Sequence, residues 1–418
     1  MTLKPPPLRN DCFALPAGVN WTPVDAALAL LRDRLHAVTE VEQVALGAAL
    51  GRVLAEDVVA QRSNPPLPNS AVDGYGFAGG LPEGEHVIPL AQGRAAAGLA
   101  FEGVVPAGEA IRILTGASLP KGVDTVILEE DVTTDGQSIA CRGPLRQGAN
   151  ARKAGEDVAA GEVILAAGRR LTPADLALIS ATGGAELPVR KPLRVGVLST
   201  GDELVEAGQT ARPGQIFDAN RPMLLGLVER MGHHALDLGR VIDDRATLRG
   251  RLDEASQKVD VIVTSGGASA GDEDHMSALL REAGAMQEWR IAIKPGRPLA
   301  LGVWSGVPVF GLPGNPVAAL VCTLIFARPA MEQLAGAGWR APQGFLVPAG
   351  FEKRKKPGRR EYLRARVRDG RVEVFKSEGS GRISGLSWAE GLVELGDGAA
   401  EIAPGDPVMF YPYASFGF

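Results

Sequence analysis

The spacing of hydrophobic and polar residues changes several times along the chain, and each change marks a new kind of structure. From residue 26 to 35, apolar residues recur at helical intervals behind Thr22 and Pro23, which predicts a helix with Thr22 as its N-cap and Pro23 in its first turn. Residues 42–54 predict a second helix. We therefore expect residues 1–57 to form an N-terminal helical segment.

The character of the sequence changes after Asp57. Between residues 58 and 155, glycine and proline are frequent and the apolar runs are short, as at residues 87–90 and 125–128. Short apolar runs between turn-forming residues are typical of strands, so this stretch predicts a small β-rich domain.

From about residue 188, short apolar runs alternate with amphipathic stretches. Such alternation predicts a parallel sheet covered by helices on both faces, an α/β unit over residues 188–336. The predicted strands are residues 193–198, 237–241, 259–263, 299–302 and 307–310, and the predicted helices are residues 221–231, 246–256, 275–283 and 316–334.

After Gly338 the pattern becomes strand-like again. Runs at residues 363–367, 372–375, 392–395 and 407–411 are separated by glycine and aspartate. They predict a small β-barrel or sandwich over residues 337–418.

Polar residues follow three of the predicted α/β strands, where ligands bind in open sheets of this kind. The three loops begin near Thr200-Gly201, Ser265-Gly266 and Pro313-Gly314-Asn315. Asn315 can cap the helix that Pro316 starts. Glycine-rich turns are common for steric reasons alone, but three polar loops in one domain favour a binding site.

The loop TSGGASAGDEDH, residues 264–275, combines features of an anion cradle with three carboxylates. Asp272 and Glu273 stand where a P-loop has Lys and Ser/Thr, so this is not a nucleotide-binding loop of that kind. A tight turn before an acidic helix start is the alternative. Together with Glu203 and the pair Asp243-Asp244, the carboxylates favour Mg²⁺ beside a phosphate.

A basic stretch follows at residues 289–298. Alternation along one strand would put Arg290 and Lys294 on the same side, with Arg297 just after a turn. These residues predict a site where basic side chains bind an oxyanion. The alternative is that they are the solvent-exposed face of a strand. The loops at residues 65–76, 114–116 and 155–157 carry no chemistry that is recognisable from residue type alone.

The amino-acid composition argues against some classes of function but does not indicate a particular one. The 418 residues carry 44 Lys and Arg against 49 Asp and Glu, a formal charge of −5, which gives no electrostatic case for nucleic acid. The three cysteines show no metal or disulfide spacing. No leader or membrane-spanning run is evident, so we expect a cytoplasmic protein without a membrane partner.

In this order, the motifs resemble those of the molybdopterin molybdenumtransferase family, which includes bacterial MoeA and the E domain of gephyrin. The resemblance covers essentially the whole chain. It rests on NSAVDGYGF, RILTGASLP, GEDV, STGDEL, DANR, DD, TSGGASAGDEDH, IKPGRPLALG and FGLPGNPVAAL.

The resemblance implies a subunit in which residues 1–57 join residues 156–187, around an inserted domain of residues 58–155. It implies a homodimer whose site is shared between subunits, with partners from the cofactor pathway such as the molybdopterin adenylyltransferase. The implied reaction inserts molybdate into adenylylated molybdopterin, releases AMP and requires Mg²⁺.

Roles follow by matched position. The resemblance implies catalytic roles for Asp73, Glu203, Asp274, Arg290 and Lys294, and metal ligands among Glu203, Asp243 and Asp274. We expect the substrates to be bound by Thr115, Asp157, Thr200, Gly201, Ser265, Gly266, Gly267, Ser269, Gly271, Pro313, Gly314, Asn315, Arg364 and Ser380.

Two other functions fit parts of the chain. A molybdopterin adenylyltransferase resembles the α/β domain alone, and the β-rich and C-terminal domains favour the molybdenum-inserting enzyme instead. A non-enzymatic molybdopterin-binding scaffold is the second, and the lack of a long linker or basic tail disfavours it.

Overall fold

The computed structural model describes residues 21–266, 275–283, 286–296 and 298–418, with the backbone alone for residues 286–290 and 298. The chain divides into two compact units, Glu42–Val189 and the residues up to Val41 together with Arg190–Phe418. The helices are α1 (Val24–Arg34), α2 (Pro173–Ala181), α3 (Asn220–Arg230), α4 (Arg245–Ser256), α5 (His275–Glu282), α6 (Pro316–Cys322), α7 (Arg328–Leu334) and α8 (Ser384–Trp388).

The unit Glu42–Val189 is β-rich, as predicted for most of its length. Its main sheet has the strand order β8-β5-β7-β6-β10-β9, and a smaller sheet has the order β1-β13-β2. The strands are β1 (Val41–Ala45), β2 (Val53–Leu54), β3 (Val58–Val59), β4 (Asn69–Ser70), β5 (Gly74–Phe77), β6 (Leu81–Ala95), β7 (Ala110–Ile113), β8 (Thr125–Leu128), β9 (Val132–Thr134), β10 (Ser138–Leu145), β11 (Ala151–Arg152), β12 (Val163–Leu165) and β13 (Glu186–Arg190).

This unit has separate cores. One packs residues from both of its ends, including Leu54, Leu171 and Ile179. Another lies under the main sheet and includes Phe77 and Ile139. The two ends of the unit therefore pack against each other in one core, while the main sheet has a separate apolar core.

The predicted helix over residues 42–54 is wrong. The chain there forms β1, a short 3₁₀ turn and β2, and Gly51 has φ +74°. The exposure of β1 alternates along its length, which is a strand pattern. Glycines at 47 and 51 weaken a helix, and pairing with β13 stabilises the extended form instead.

The α/β region of the other unit contains a sheet with the order β17-β14-β18-β22-β21-β19. The pairs β17-β14, β14-β18 and β18-β22 are parallel, as predicted, whereas β21 runs antiparallel to both β22 and β19. The strands are β14 (Arg194–Thr200), β15 (Leu204–Val205), β16 (Ile216–Phe217), β17 (His234–Val241), β18 (Val261–Ser265), β19 (Met286–Arg290), β20 (Ile293–Lys294), β21 (Pro298–Trp304) and β22 (Val307–Leu312).

Apolar side chains cover both faces of this sheet. One core joins residues of α1, α3, α6 and α7 to strands β14, β18 and β22. The other joins α4 and α5 to the opposite face. Helix α1 therefore packs in this α/β core, whereas the family resemblance implied that residues 1–57 join residues 156–187. It begins at Val24 with Pro23 at the N-cap and no side-chain cap, so the predicted capping by Thr22 is wrong.

The predicted helix over residues 316–334 forms, with a π-helical turn at Thr323–Ala327 between α6 and α7. It is long and apolar enough to cross a bilayer, but most of it is buried inside the molecule. Its composition is therefore accounted for by the core. Pro316 takes the first helical position as predicted, whereas the Asn315 side chain makes no capping hydrogen bond.

The C-terminal part is a β-domain with the strand order β20-β25-β27-β29-β23, and β26 pairs with β25. Its core includes Val347, Leu363, Val393 and Phe410. Its strands are β23 (Phe345–Pro348), β24 (Lys353–Lys355), β25 (Arg360–Arg368), β26 (Arg371–Val374), β27 (Gly391–Leu395), β28 (Ala400–Ile402) and β29 (Pro407–Pro412). Strand β20 joins this sheet from the α/β region, by parallel pairing of Lys294 with Glu361.

Candidate active site

The three polar loops of the α/β sheet meet at the carboxyl ends of β14, β18 and β22. The Gly266 N–H donates to the Leu312 carbonyl at 3.2 Å. Gly266 has φ +90°, and a Cβ built on it would lie 2.4 Å from the carbonyl oxygen of Thr200. Only glycine allows this close approach. The expected convergence of the loops is therefore present in the described residues.

Asn220, the first residue of α3, ties two of these loops together. Its side-chain amide donates to Ser265 Oγ and to the Gly314 carbonyl, both at 2.7 Å. The side chain is buried, with 7% of the residue exposed. Asn220 therefore fixes the distance between the loops after β18 and β22.

The same edge of the sheet holds buried polar atoms with no partner among the described residues. They are Ser199 Oγ, Thr200 Oγ1, Thr264 Oγ1, Asn220 Oδ1 and Asn315 Oδ1. Burying such groups without a hydrogen bond costs about 1–3 kcal/mol each. Their clustering at strand ends is the pattern of a site that binds a polar ligand.

The turn after β14 brings Glu203 back over Gly201. Gly201 has φ +148°, and a Cβ there would lie 2.6 Å from Glu203 Oε2. Arg240 on β17 donates to the carbonyls of Gly201, at 3.5 Å, and Leu204. Arg240 therefore holds both ends of the turn that carries Glu203.

Carboxylates gather beside this turn. The Asp243 N–H donates to Asp202 Oδ1 at 3.0 Å. Burial, and the negative charges of Asp202 and Glu203, raise the pKa of Asp243 above its ordinary value, while His275 opposes the shift. Asp244 is used differently, because its side chain caps α4 by accepting the Thr247 N–H at 2.7 Å.

The oxygen donors Asp202, Glu203 and Asp243 fit the preference of Mg²⁺ for carboxylates. A raised pKa on a carboxyl flanked by two others is also what a site shaped for a cation would produce. Among the described residues, however, no group of three candidate ligands is spaced to hold a metal by itself. The predicted third ligand, Asp274, lies outside the described residues.

Lys294 lies in a network of opposite charges. Its Nζ is 2.7 Å from Glu378 Oε2 and 3.3 Å from Glu361 Oε1. Lys353 contacts the same two carboxylates, at 3.1 Å from Glu361 Oε2 and closer to Glu378.

The prediction that Arg290 and Lys294 share one strand is wrong. Arg290 ends β19 and pairs with Pro298 in the α/β sheet, whereas Lys294 belongs to β20 and the C-terminal sheet. Ile291 and Ala292 separate the strands, so alternation does not carry across. The side chain of Arg290 lies outside the described part of the structure.

Arg364 is buried and is used inside the protein. It donates to the carbonyls of Arg382 and Ser377 at 2.5 Å and of Gly379 at 3.2 Å. Arg364 therefore shapes the loop that contains Ser380. The Ser380 carbonyl accepts the Val317 N–H at 3.3 Å, at the start of α6. The structure thus brings Arg364, Ser380 and the Asn315 turn into one neighbourhood.

In the β-rich unit, Asp73 and Thr115 are in contact. One Asp73 oxygen accepts both the backbone N–H and the hydroxyl of Thr115, at 2.6 Å each. These bonds, the hydroxyl first, lower the pKa of Asp73. Asp157 instead accepts the Asn64 side-chain amide at 2.9 Å.

Several predicted residues lie outside the described residues. They are Gly267, Ser269, Gly271, Asp272, Glu273, Asp274 and Arg297.

Three positions with direct contacts to the predicted site were missed as site residues. Asn220 belongs to the motif Asp-Ala-Asn-Arg, and its place directly before the predicted helix of residues 221–231 was a usable signal. Arg240 and Lys353 gave no such signal in the sequence, because most of the residues they contact lie far from them along the chain.

Comparisons with known proteins agree with this architecture. Residues 22–183 match the MoeA N-terminal region (domain I and II), residues 196–333 the "Probable molybdopterin binding domain", and residues 347–413 the MoeA C-terminal region (domain IV). The chain is 35% identical over 398 residues to the molybdopterin molybdenumtransferase of Haemophilus influenzae, covering 93% of this chain and 98% of the relative. It is 35% identical over 389 residues to molybdopterin molybdenumtransferase 2 of Mycobacterium tuberculosis, covering 88% and 94%.

Solved structures give the same result. The MoeA protein of Pyrococcus horikoshii OT3 superposes with a TM-score of 0.82 at 29% identity, over 94% of this chain and all of that one. The family matches and the named relatives thus define a transferase of molybdenum cofactor biosynthesis. With relatives of this identity and coverage, the chain belongs to the molybdopterin molybdenumtransferase (MoeA) family.

Proposed function

We propose that this enzyme transfers molybdenum from molybdate to adenylylated molybdopterin, releasing AMP, and that Mg²⁺ is required. The observation that carries the proposal is the edge where β14, β18 and β22 end. There, loops fixed by Asn220 and by the Gly266–Leu312 hydrogen bond lie beside buried hydroxyl groups and amide oxygens that have no partner among the described residues.

These groups suit a phosphate-bearing pterin. Thr200, Ser265 and Asn315 offer hydroxyl and amide groups, and Gly201, Gly266 and Gly314 let the backbone approach a ligand closely. Pro313 would fix the backbone of the turn before Gly314. Gly267, Ser269 and Gly271 enter the proposal from the sequence, as further amide and hydroxyl donors of the same loop. Together they would hold the pterin phosphate and the adenylate.

The carboxylates need a counter-charge if a phosphate binds beside them. Glu203, Asp243 and Asp274 would hold Mg²⁺, which when bound neutralises the phosphate oxygens and makes AMP a better leaving group. The protein's own part includes keeping Glu203 in place, through the hydrogen bonds from Arg240 to the carbonyls of Gly201 and Leu204.

Molybdate is a tetrahedral oxyanion, and Lys294, which lines the same cavity as Val317 of α6, suits it by charge. Lys294 and Arg290 would receive it, and Arg364 would keep the Ser380 loop in position. In a homodimer, Asp73, Thr115 and Asp157 of one subunit would complete the site of the other. The cytoplasm is the proposed location of the reaction.

The test is AMP release from purified adenylylated molybdopterin. We expect AMP to appear only when both molybdate and Mg²⁺ are present, and Asp243→Asn to raise the Mg²⁺ concentration needed. AMP release that is independent of molybdate would refute the insertion reaction. Full activity in a chelator would refute the role of Mg²⁺ and leave the insertion reaction standing.

A further inference from the structure

Beside Lys294 lies a cavity of about 210 Å³ in the C-terminal domain. Four cationic and two acidic side chains are among the described residues that line it, namely Lys294, Lys353, Arg364, Lys376, Glu352 and Glu378. Because cations outnumber carboxylates, the cavity suits a small anion.

Two of these cations already hold an anionic group, and it belongs to the protein. One oxygen of the Glu378 carboxylate lies 2.7 Å from Lys294 Nζ, and the other contacts Lys353 Nζ. The carboxylate thus bridges the two ammonium groups, as two oxygens of a tetrahedral oxyanion would.

The two carboxylates that contact these lysines differ in their exposure to solvent, and this decides which of them can be displaced. The Lys353 side chain is 9% exposed and that of Glu361, behind it, is also 9% exposed, whereas Glu378 is 48% exposed. Glu361 lies on β25 and its side chain is almost enclosed by the protein, whereas the half-exposed Glu378 lies in the loop between β26 and α8 and can turn towards solvent. Glu378 is therefore the anion that can be exchanged.

We infer that Lys294 and Lys353 form a two-lysine oxyanion site whose resting occupant is the Glu378 carboxylate, so that Glu378 sets the affinity for the incoming oxyanion by competing with it. That the oxyanion is molybdate rests on the proposed function. The competition itself does not, because it follows from the contacts of the three side chains.

The consequence is an exchange of one anion for another. When an oxyanion binds, Glu378 turns out to solvent, and Lys294 and Lys353 keep a partner throughout. Selectivity follows from charge, since a dianion gains more from two ammonium groups than a single carboxylate does, whereas a monoanion gains no advantage.

The test is direct binding of molybdate at fixed ionic strength and pH 7.5, by equilibrium dialysis with metal analysis of both chambers. Glu378→Gln keeps the shape of the side chain and removes its charge, and we expect molybdate to bind about tenfold more tightly. In turnover the same variant should lower the KM for molybdate without raising kcat. Adding Lys353→Met to Glu378→Gln should abolish the gain.

Glu352→Gln is the matched control. It removes one carboxylate from the same cavity, but Glu352 does not bridge the two lysines. The affinity of this variant for molybdate should therefore stay near that of the wild type. An equal gain in Glu352→Gln would show a general charge effect and overturn the inference. So would unchanged or weaker binding in a folded Glu378→Gln protein. Tighter binding without any AMP release would instead support the site and refute the proposed reaction.

Discussion

Thr115 donates both its backbone N–H and its hydroxyl to one carboxylate oxygen of Asp73, at 2.6 Å each. The two residues are 42 positions apart, and the sequence assigned both to the site only by resemblance. Their contact makes Asp73 an ionised acceptor with a fixed orientation. It also gives a prediction about pH.

Thr115→Val should shift the acidic limb of the activity profile to higher pH. The Thr115 bonds favour ionised Asp73 and hold its pKa below the ordinary value, so the carboxylate is lost only when pH falls through that lowered pKa. Valine removes the hydroxyl bond and lets the pKa rise. The pH dependence of kcat/KM and a carboxyl NMR titration of Asp73 both check this.

Thr134→Val is the control for that substitution. The Thr134 hydroxyl also donates in an exposed turn of the same unit, to the Ser138 carbonyl at 2.8 Å, but it does not contact Asp73. Its profile should match the wild type. If the acidic limb of Thr115→Val also fails to move, Asp73 does not control that limb.

Asn220→Ala should loosen the two loops that Asn220 joins. The Gly314 carbonyl and Ser265 lose a buried donor, which we expect to lower the free energy of unfolding by about 1–3 kcal/mol. Binding of adenylylated molybdopterin should weaken by at least about tenfold, because the cradle is no longer held in one geometry. Denaturant unfolding and a fluorescence binding titration measure the two effects. Gln257→Ala, at the exposed end of α4, is the control, and wild-type binding in Asn220→Ala would contradict a positioning role.

Arg364→Lys should destabilise the C-terminal domain although it keeps the charge. One ammonium group cannot reach the three carbonyls that the guanidinium contacts, so we expect a loss of about 1–3 kcal/mol. Molybdate binding should weaken with it. Arg354→Lys is the matched control, because Arg354 is 86% exposed in its pair with Glu401 and should be nearly neutral. Equal stability of the two variants would rule out the bracing role of Arg364.

Mixed dimers test the proposed sharing of the site between subunits. Asp73→Asn and Lys294→Ala should each be inactive. Refolding the two variants together in equal amounts should restore roughly a quarter of the wild-type sites, because half of the dimers are mixed and each of these has one intact site. The readout is AMP release. No recovery, in a mixture whose exchange is confirmed by differently tagged subunits, would place both residues of a site in one subunit.

Much of the α/β fold could be predicted because its signals are local. The run Val261-Ile262-Val263 is fully buried between parallel neighbours, and such strands are continuously apolar. The convergence of Gly266, Thr200 and Gly314 followed from the rule that ligands bind at the carboxyl ends of strands.

The errors came where pairing with distant strands decided the outcome. Residues 42–54 have helix-compatible composition, but β13, more than 130 residues later, supplies the hydrogen bonds that make Val41–Ala45 a strand. Arg290 and Lys294 looked like neighbours on one strand until Lys294 paired with Glu361 in another sheet. For the same reason, Glu378 and Lys353 could not be placed beside Lys294 from sequence.

The central claim is that this enzyme moves molybdenum onto the pterin, and the product itself tests this most directly. Purified enzyme is incubated with adenylylated molybdopterin, molybdate and Mg²⁺, and the pterin fraction is analysed for molybdenum while AMP is measured in the same sample. We predict that molybdenum bound to the pterin and AMP rise together, one for one, and that Lys294→Ala abolishes both. AMP release without molybdenum in the pterin fraction would contradict the account.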